Sequence, residues 1–314
     1  MTPAILLDCD TGIDDALTLL YLAALVKAGD AELVAAGTVH GNVDPRAGAL
    51  NTLRVLERAG LDGVPVAVGA VAPMGQPATY AHQFHGTDGL GNTGLAPPQG
   101  RLAGISAPEQ IIRLARARPG ELTLVAVGPL TNLGIALLLD PDLPGLLRRV
   151  VVMGGAFDHP GNVTSHAEAN IWHDPEAAEL VLAAGWPVML VPLDATHPTA
   201  VDGAWLDRLA AADSGVARFA RQILEFYVTA YEPFLGGRGA VIHDALAAML
   251  AVDPSLGEYV ERPVRVELRG EHTRGATLWD RRPPPGSEPG RPAVQVAVRA
   301  DAAAFRERLL ASLL

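Results

Sequence analysis

The chain has 314 residues, 49% of them hydrophobic, so it can bury a large core as one large α/β domain or two smaller ones. Its formal net charge of -11 argues against sequence-independent binding to nucleic acid or to an anionic membrane. The single cysteine, Cys9, excludes an intrachain disulfide, and no apolar run approaches the roughly 20 residues that span a bilayer. The N-terminus lacks the basic segment of a secretory signal, so a cytoplasmic protein is expected.

In chain order, Ala4 to Leu7 reads as a buried strand and Ala16 to Leu22 as the helix after it. Between them stand Asp8, Asp10, Asp14 and Asp15. A lone Asp here would read as a helix N-cap. Four carboxylates crowded at one strand end repel and raise one another's pKa. A divalent cation offsets that cost best, and oxygen-only ligation points to Ca²⁺ or Mg²⁺.

Glu32 to Val39 reads as a second strand, ending in His40-Gly41-Asn42. Asp44-Pro45 caps a helix that runs to about Arg58, and Val64 to Val68 reads as a third strand. From Ala70 to Gly104 the periodicity stops. This long loop, carrying His82, His85 and Asp88, reads as functional, folding over a site. Ala107 to Arg118 is then a helix and Leu122 to Val127 a strand, and Gly128-Pro129 leads into a helix that starts at Thr131-Asn132. Val150 to Met153 is a further strand, followed by a polar loop from Asn162 to Asn170. Asp174-Pro175-Glu176 opens a helix, and Val188 to Leu193 is a sixth strand, leading into Asp194-Ala195-Thr196-His197.

Ala204 to Val252 reads as mainly helical. Phe219 fits the core, Tyr227 and Tyr231 are candidates for a pocket, and His243-Asp244-Ala245 begins an apolar helix. Val264 to Leu268 and Ala293 to Val298 read as an antiparallel pair joined by a Pro/Arg-rich loop from Asp280 to Arg291, with a last helix from Ala302 to Leu314. The alternation predicts one domain over residues 1–314. Its fold is an open, mostly parallel, Rossmann-like α/β sheet flanked by helices, with a small antiparallel C-terminal addition. Polar residues after successive strands then collect along one sheet edge, a site for a polyhydroxylated ligand, a metal, or both.

These residues carry a resemblance. Asp8-Cys9-Asp10-Thr11-Gly12-Ile13-Asp14-Asp15-Ala16 resembles the N-terminal signature of the inosine–uridine-preferring nucleoside hydrolases. The likeness continues, in order, through Gly41-Asn42, His85-Gly86-Thr87-Asp88-Gly89-Leu90 and Val127-Gly128-Pro129-Leu130-Thr131-Asn132. It extends through Met153-Gly154-Gly155, Asn162 to Asn170, Pro192 to His197, His243-Asp244-Ala245 and Glu271 to Gly275.

The resemblance implies a Ca²⁺-dependent hydrolase of the N-glycosidic bond of ribonucleosides, assembled as a homodimer or homotetramer. It gives Ca²⁺ to Asp10, Asp15, Asp244 and the backbone carbonyl of Val127. A cation-bound water next to Asp10 can lose its proton to that carboxylate, which makes Asp10 the expected base. It gives the ribose to Asp14, Asn42, Asn162, Glu168 and Asn170, the leaving-group side to His243, and the base to His85. The long loop and the stretch holding Tyr227 and Tyr231 match two mobile segments that flank the base pocket.

Ala169 departs from a frequent Phe and Val127 from a frequent Thr, and Trp172-His173 stands where an aromatic–aliphatic pair is usual. His243 matches the group that accepts purine or pyrimidine nucleosides rather than the purine-specific one. Asp8-x-Asp10-x-Gly12 also looks like the nucleophile motif of haloacid dehalogenase-type phosphatases. That chemistry needs a late lysine, and the one lysine is Lys27. A third reading is a Ca²⁺- and nucleoside-binding protein without turnover.

Overall fold

The structure is a computed structural model and describes residues 2–282 and 290–314, so the middle of the Pro/Arg-rich loop lies outside the described residues. The first half alternates strictly. β1 (Ala4–Cys9) leads to α1 (Ile13–Ala28), β2 (Glu32–Thr38) to α2 (Pro45–Arg58), and β3 (Val66–Val68) to the long loop. That loop holds one short helix, α3 (His82–His85). Then come α4 (Ala107–Ala117), β4 (Leu122–Ala126), α5 (Thr131–Leu139) and β5 (Arg149–Met153). After β5 the chain forms α6 (Ala169–His173), α7 (Pro175–Ala183), β6 (Val188–Val191) and α8 (Leu193–Thr196).

The helical segment contains β7 (Val201–Asp202), α9 (Gly203–Ala211), α10 (Gly215–Leu235), β8 (Gly239–Ala240) and α11 (His243–Val252). The C-terminal part consists of β9 (Gly257–Pro263), β10 (Arg265–Val266), β11 (Thr277–Leu278), β12 (Ala293–Ala300) and α12 (Ala302–Leu313).

Eight strands form one sheet in the order β3-β2-β1-β4-β5-β6-β12-β9. All neighbours run parallel except β9, which pairs antiparallel with β12. Side chains alternate across a strand, so β1 sends Ile5, Leu7 and Cys9 to one core and Leu6 to the other. The first core packs beneath α1, α2, α10, α11 and α12, and the second beneath α4, α5 and α7. Both faces are covered, so the central strands read as unbroken apolar runs rather than alternating ones. Strand order reverses between β1 and β4, and ligands of such sheets bind in the crevice outside the carboxyl ends at that point.

Most element ends fall within a residue or two of expectation, and the larger differences have physical causes. Helix α1 starts at Ile13, which places Asp14 and Asp15 inside its first turn. The sixth strand stops at Val191. Pro192 has no N–H to give the ladder, and α8 begins directly after it. The expected pairing of Val264 to Leu268 with Ala293 to Val298 is corrected. β12 takes β9 as its partner, with Ala293 opposite Pro263 and Val296 opposite Val260, while β10 pairs with β11. β9 is a half-exposed edge strand carrying Glu258, Glu261 and Arg262, the charged dress of a protected edge, so hydrophobic pattern does not reveal it.

Candidate active site

The site is built from the segments just past the strand ends. Past β1, the Asp15 carboxylate accepts the backbone N–H of Gly12 at 2.8 Å and that of Asp10 at 3.2 Å, which ties the helix start to the strand end. Past β2, the Asn42 amide donates to Asp10 Oδ1 and to Asp15 Oδ2, both at 3.1 Å, and its backbone N–H donates to Asp10 Oδ2 at 2.7 Å. This close approach needs glycine at Gly41, where φ is 153° and a Cβ would collide with the Asp10 carboxylate. Asp244 enters from the first turn of α11. Ligand oxygens of Asp14, Asp15 and Asp244 lie within 4.8 Å of one another, and all three residues are buried.

Burial comes first, and the charge of Asp15 second, in pushing Asp14 up to about 8. Burial and the Asp15 charge likewise hold Asp10 well above the usual carboxylate range, and burial with Asp14, Asp15 and Asp10 does the same to Asp244. Among the described residues, no Lys or Arg lines the cavity above them to balance that charge. Asp14 Oδ1 is buried with no hydrogen-bond partner. Crowded carboxylates, an oxygen-only donor set and an orphaned carboxylate oxygen fit a hard divalent cation. The set the structure draws tightest holds Asp14, whereas Asp10 stands behind, joined to Asp15 through Asn42.

Above the carboxylates is a cavity of about 590 Å³. Its lining includes Asp14, Asn42, His85, Val127, Asn162, Glu168, Asn170, Tyr227, Tyr231, His243 and Asp244. Asp10 and Asp15 are not on its surface. Asn170 Nδ2 donates to the Val127 carbonyl at 2.9 Å and to that of Met153 at 3.2 Å, binding the ends of β4 and β5 to α6. Glu168 caps α6. Its carboxylate accepts N–H groups from Gly155, Asn170 and Ile171, while burial pushes it up to about 7. Asn162 Oδ1 accepts the Ala169 N–H at 2.9 Å, which folds the polar loop back on α6.

On the opposite wall His85, from α3, accepts the Ile13 N–H at Nδ1 at 3.0 Å, so its ring proton is on Nε2. Burial, then His82, lowers it to about 3. Tyr227 and Tyr231 stack edge to face with ring centroids 4.9 Å apart, and Phe219 is buried in the core as expected. The Tyr231 hydroxyl is 2.9 Å from His243 Nε2, and the Thr196 hydroxyl is 2.7 Å from His243 Nδ1. Burial, then His197 and His159, holds His243 well below the usual imidazole range. Both nitrogens of His243 are thus engaged by protein.

Asp8 is buried and off the cavity. One of its oxygens accepts from Asn132 at 2.8 Å, and burial pushes it up to about 7. Lys27 is exposed on α1. Neither serves a phosphatase mechanism.

His40 carries no signal in the sequence and emerges only in the fold. Thr131 spends its proton on Asp174 at 2.6 Å, so His40 Nε2–H donates to Thr131 at 2.9 Å, and His40 Nδ1 is left as a buried, unpartnered acceptor. Burial, then His173, lowers His40 to about 4. Unfolding restores an ordinary imidazole, so the unfolded chain binds more protons between about pH 6.5 and 4 and stability falls as pH drops through that window. The limit is about 3 kcal/mol. His40→Gln, which keeps a donor toward Thr131, is expected to flatten the decline in urea midpoint between pH 7 and 4.5. An unchanged slope contradicts the assignment.

A sequence model described as inosine-uridine preferring nucleoside hydrolase matches residues 5–307. An inosine-uridine preferring nucleoside hydrolase from Leishmania major is 38% identical over 303 residues, covering 96% of this chain and 94% of that protein. A probable uridine nucleosidase from Arabidopsis thaliana is 36% identical over 310 residues with the same coverage. Among solved structures, a plant nucleoside hydrolase superposes with a TM-score of 0.94 at 32% identity, covering 100% of this chain and 99% of that one. A purine-preferring ribonucleoside hydrolase from Gardnerella vaginalis gives 0.89 at 30% identity, covering 99% and 98%. No described helix is long and apolar enough to cross a membrane. The chain therefore belongs to the inosine-uridine preferring nucleoside hydrolase family, hydrolases of N-glycosyl compounds.

Proposed function

We propose that the chain hydrolyses ribonucleosides to free base and ribose with the help of Ca²⁺. The observation that carries this reading is one cavity with two unlike walls, buried carboxylates on one side and a tyrosine–histidine chain on the other. Asp15, Asp244, Asp10 and the Val127 carbonyl would hold the cation, with Asp14 beside them. When bound, the cation supplies Lewis acidity toward the attacking water and the ribose hydroxyls.

The remaining steps fall to the chain. Cleavage of the glycosidic bond passes through an oxocarbenium-like state. Carboxylates and amide dipoles of Asp14, Asn42, Asn162, Glu168 and Asn170 face that developing positive charge. Asp10 takes the proton of the attacking water. Without a cation, burial and then the Asp15 charge raise its proton affinity. The base leaves with an extra electron pair and needs a proton at nitrogen. Because Thr196 and Tyr231 occupy both ring nitrogens of His243, the proton reaches the base from the Tyr231 hydroxyl. His243 Nε2–H replaces it, which requires the ring to carry both protons when the base leaves, so that it ends as a neutral imidazole with its remaining proton on Nδ1 toward the Thr196 hydroxyl.

The test is incubation with a panel of ribonucleosides, scoring free base and ribose. Ca²⁺ is expected to sustain release, EDTA to abolish it and added Ca²⁺ to restore it. Activity indifferent to EDTA removes the cation from the reading, and calorimetric nucleoside binding without product leaves a binding protein.

A further inference from the structure

We infer that Thr196 is a positioning residue for proton delivery to the leaving base, acting through His243; this rests on the reading proposed above. Thr196 closes α8, the short helix that Pro192 starts after β6, and is fully buried. Its backbone is fixed because its carbonyl accepts the Thr199 hydroxyl at 2.7 Å. Its own hydroxyl is 2.7 Å from His243 Nδ1, 47 residues away in sequence. An imidazole pivots about its Cβ–Cγ bond, and a ring held at Nδ1 can present only Nε2 to another partner. In this protein that partner is the Tyr231 hydroxyl at 2.9 Å.

The neighbouring rings do not perform this task. His197 meets the His243 ring edge-on at 5.5 Å between centroids, and His159 stacks on His197 at 3.9 Å. These rings pack against one another and leave the Nδ1 side to Thr196. A hydroxyl suits the position for a further reason. It donates to a bare Nδ1 and accepts from a protonated one, so it keeps hold of the ring through either proton arrangement. Valine has nearly the same shape and does neither.

The comparison is therefore Thr196→Val against Thr196→Ser, each assayed with inosine or uridine and with 4-nitrophenyl riboside, whose leaving group needs no proton. For Thr196→Val, kcat on the nucleosides is expected to fall about 10- to 100-fold with KM within about twofold, because general-acid transfer is what is lost. The nitrophenyl riboside should be cleaved within about threefold of the wild-type rate, and Thr196→Ser should restore most nucleoside turnover. Two-bond proton–nitrogen NMR correlation of the His243 ring, assigned with His243→Asn, gives a readout independent of turnover. The Nδ1 resonance should move in Thr196→Val and stay in Thr196→Ser. Equal losses on both substrates, or an Nδ1 resonance unmoved in Thr196→Val, overturns the inference. A wild type that cleaves neither substrate overturns the functional reading instead, and the NMR comparison still decides whether Thr196 holds the ring.

Discussion

Stripped of divalent cations, Asp244→Asn protein melts higher than wild type; in saturating Ca²⁺ the order reverses, and the variant's activity on nucleosides is lost by about 10³-fold or more, the scale of removing a principal transition-state charge contact. The stability argument starts from the buried carboxylates. Asp244 is held well above the usual carboxylate range by burial and by Asp14, Asp15 and Asp10. Asparagine has the same shape, carries no charge and can donate its amide to the Asp15 carboxylate, which shares a hydrogen bond with Asp244. Relieving the unfavourable burial contributes about 2 kcal/mol, roughly 4 °C in a chain of this size. Against it stands the loss of a negative charge at the N-terminus of α11, worth about 0.5 kcal/mol. Ca²⁺ at a hundredfold its dissociation constant stabilises wild type by about 2.7 kcal/mol, enough to invert the net gain. Differential scanning calorimetry with EDTA and with Ca²⁺ measures both halves. A variant that melts lower without cation, or that binds Ca²⁺ as wild type does, removes Asp244 from the metal set.

Much of this site was legible because of how an open parallel sheet is built. Strands covered on both faces must be apolar throughout, so Asp8, Asp10, Asn42 and Asp194 stand out where each run ends. The chemistry of crowded carboxylates then points to a cation without a structure. What was not legible depends on partners distant in sequence. The role of Thr196 is set by His243, 47 residues on, and that of His40 by Thr131, 91 residues on. Neither residue is unusual in its own segment. The tight grouping of Asp14 with Asp15 and Asp244 follows from starting α1 at Ile13, a three-residue shift that carries Asp14 into the first helical turn. β9 was missed because an edge strand is stabilised by backbone pairing on one side and needs no hydrophobic alternation.

Tyr231→Phe and His243→Ala are each expected to lower kcat on nucleosides by about 10²- to 10³-fold and to leave 4-nitrophenyl riboside hydrolysis within about threefold. Tyr231 is buried to 8% exposure, and burial with the nearby Asp14 charge raises its proton affinity. Raised proton affinity makes Tyr231 a weak acid on its own, so it passes its proton to the leaving base only if a second proton replaces it in the same step. His243 Nε2, 2.9 Å from the hydroxyl, is the group placed to supply it when that nitrogen carries a proton. Two groups acting in series lose their function together, so the double variant should be no more than about threefold worse than the poorer single one, as for residues that work as a unit. Losses that multiply would show two independent routes to the base. A large loss in His243→Ala with little in Tyr231→Phe would mean that the imidazole reaches the base directly, requiring its bond to Tyr231 to break when substrate enters. Equal loss on the nitrophenyl riboside would assign both side chains to the sugar or to the fold, because that leaving group departs without a proton.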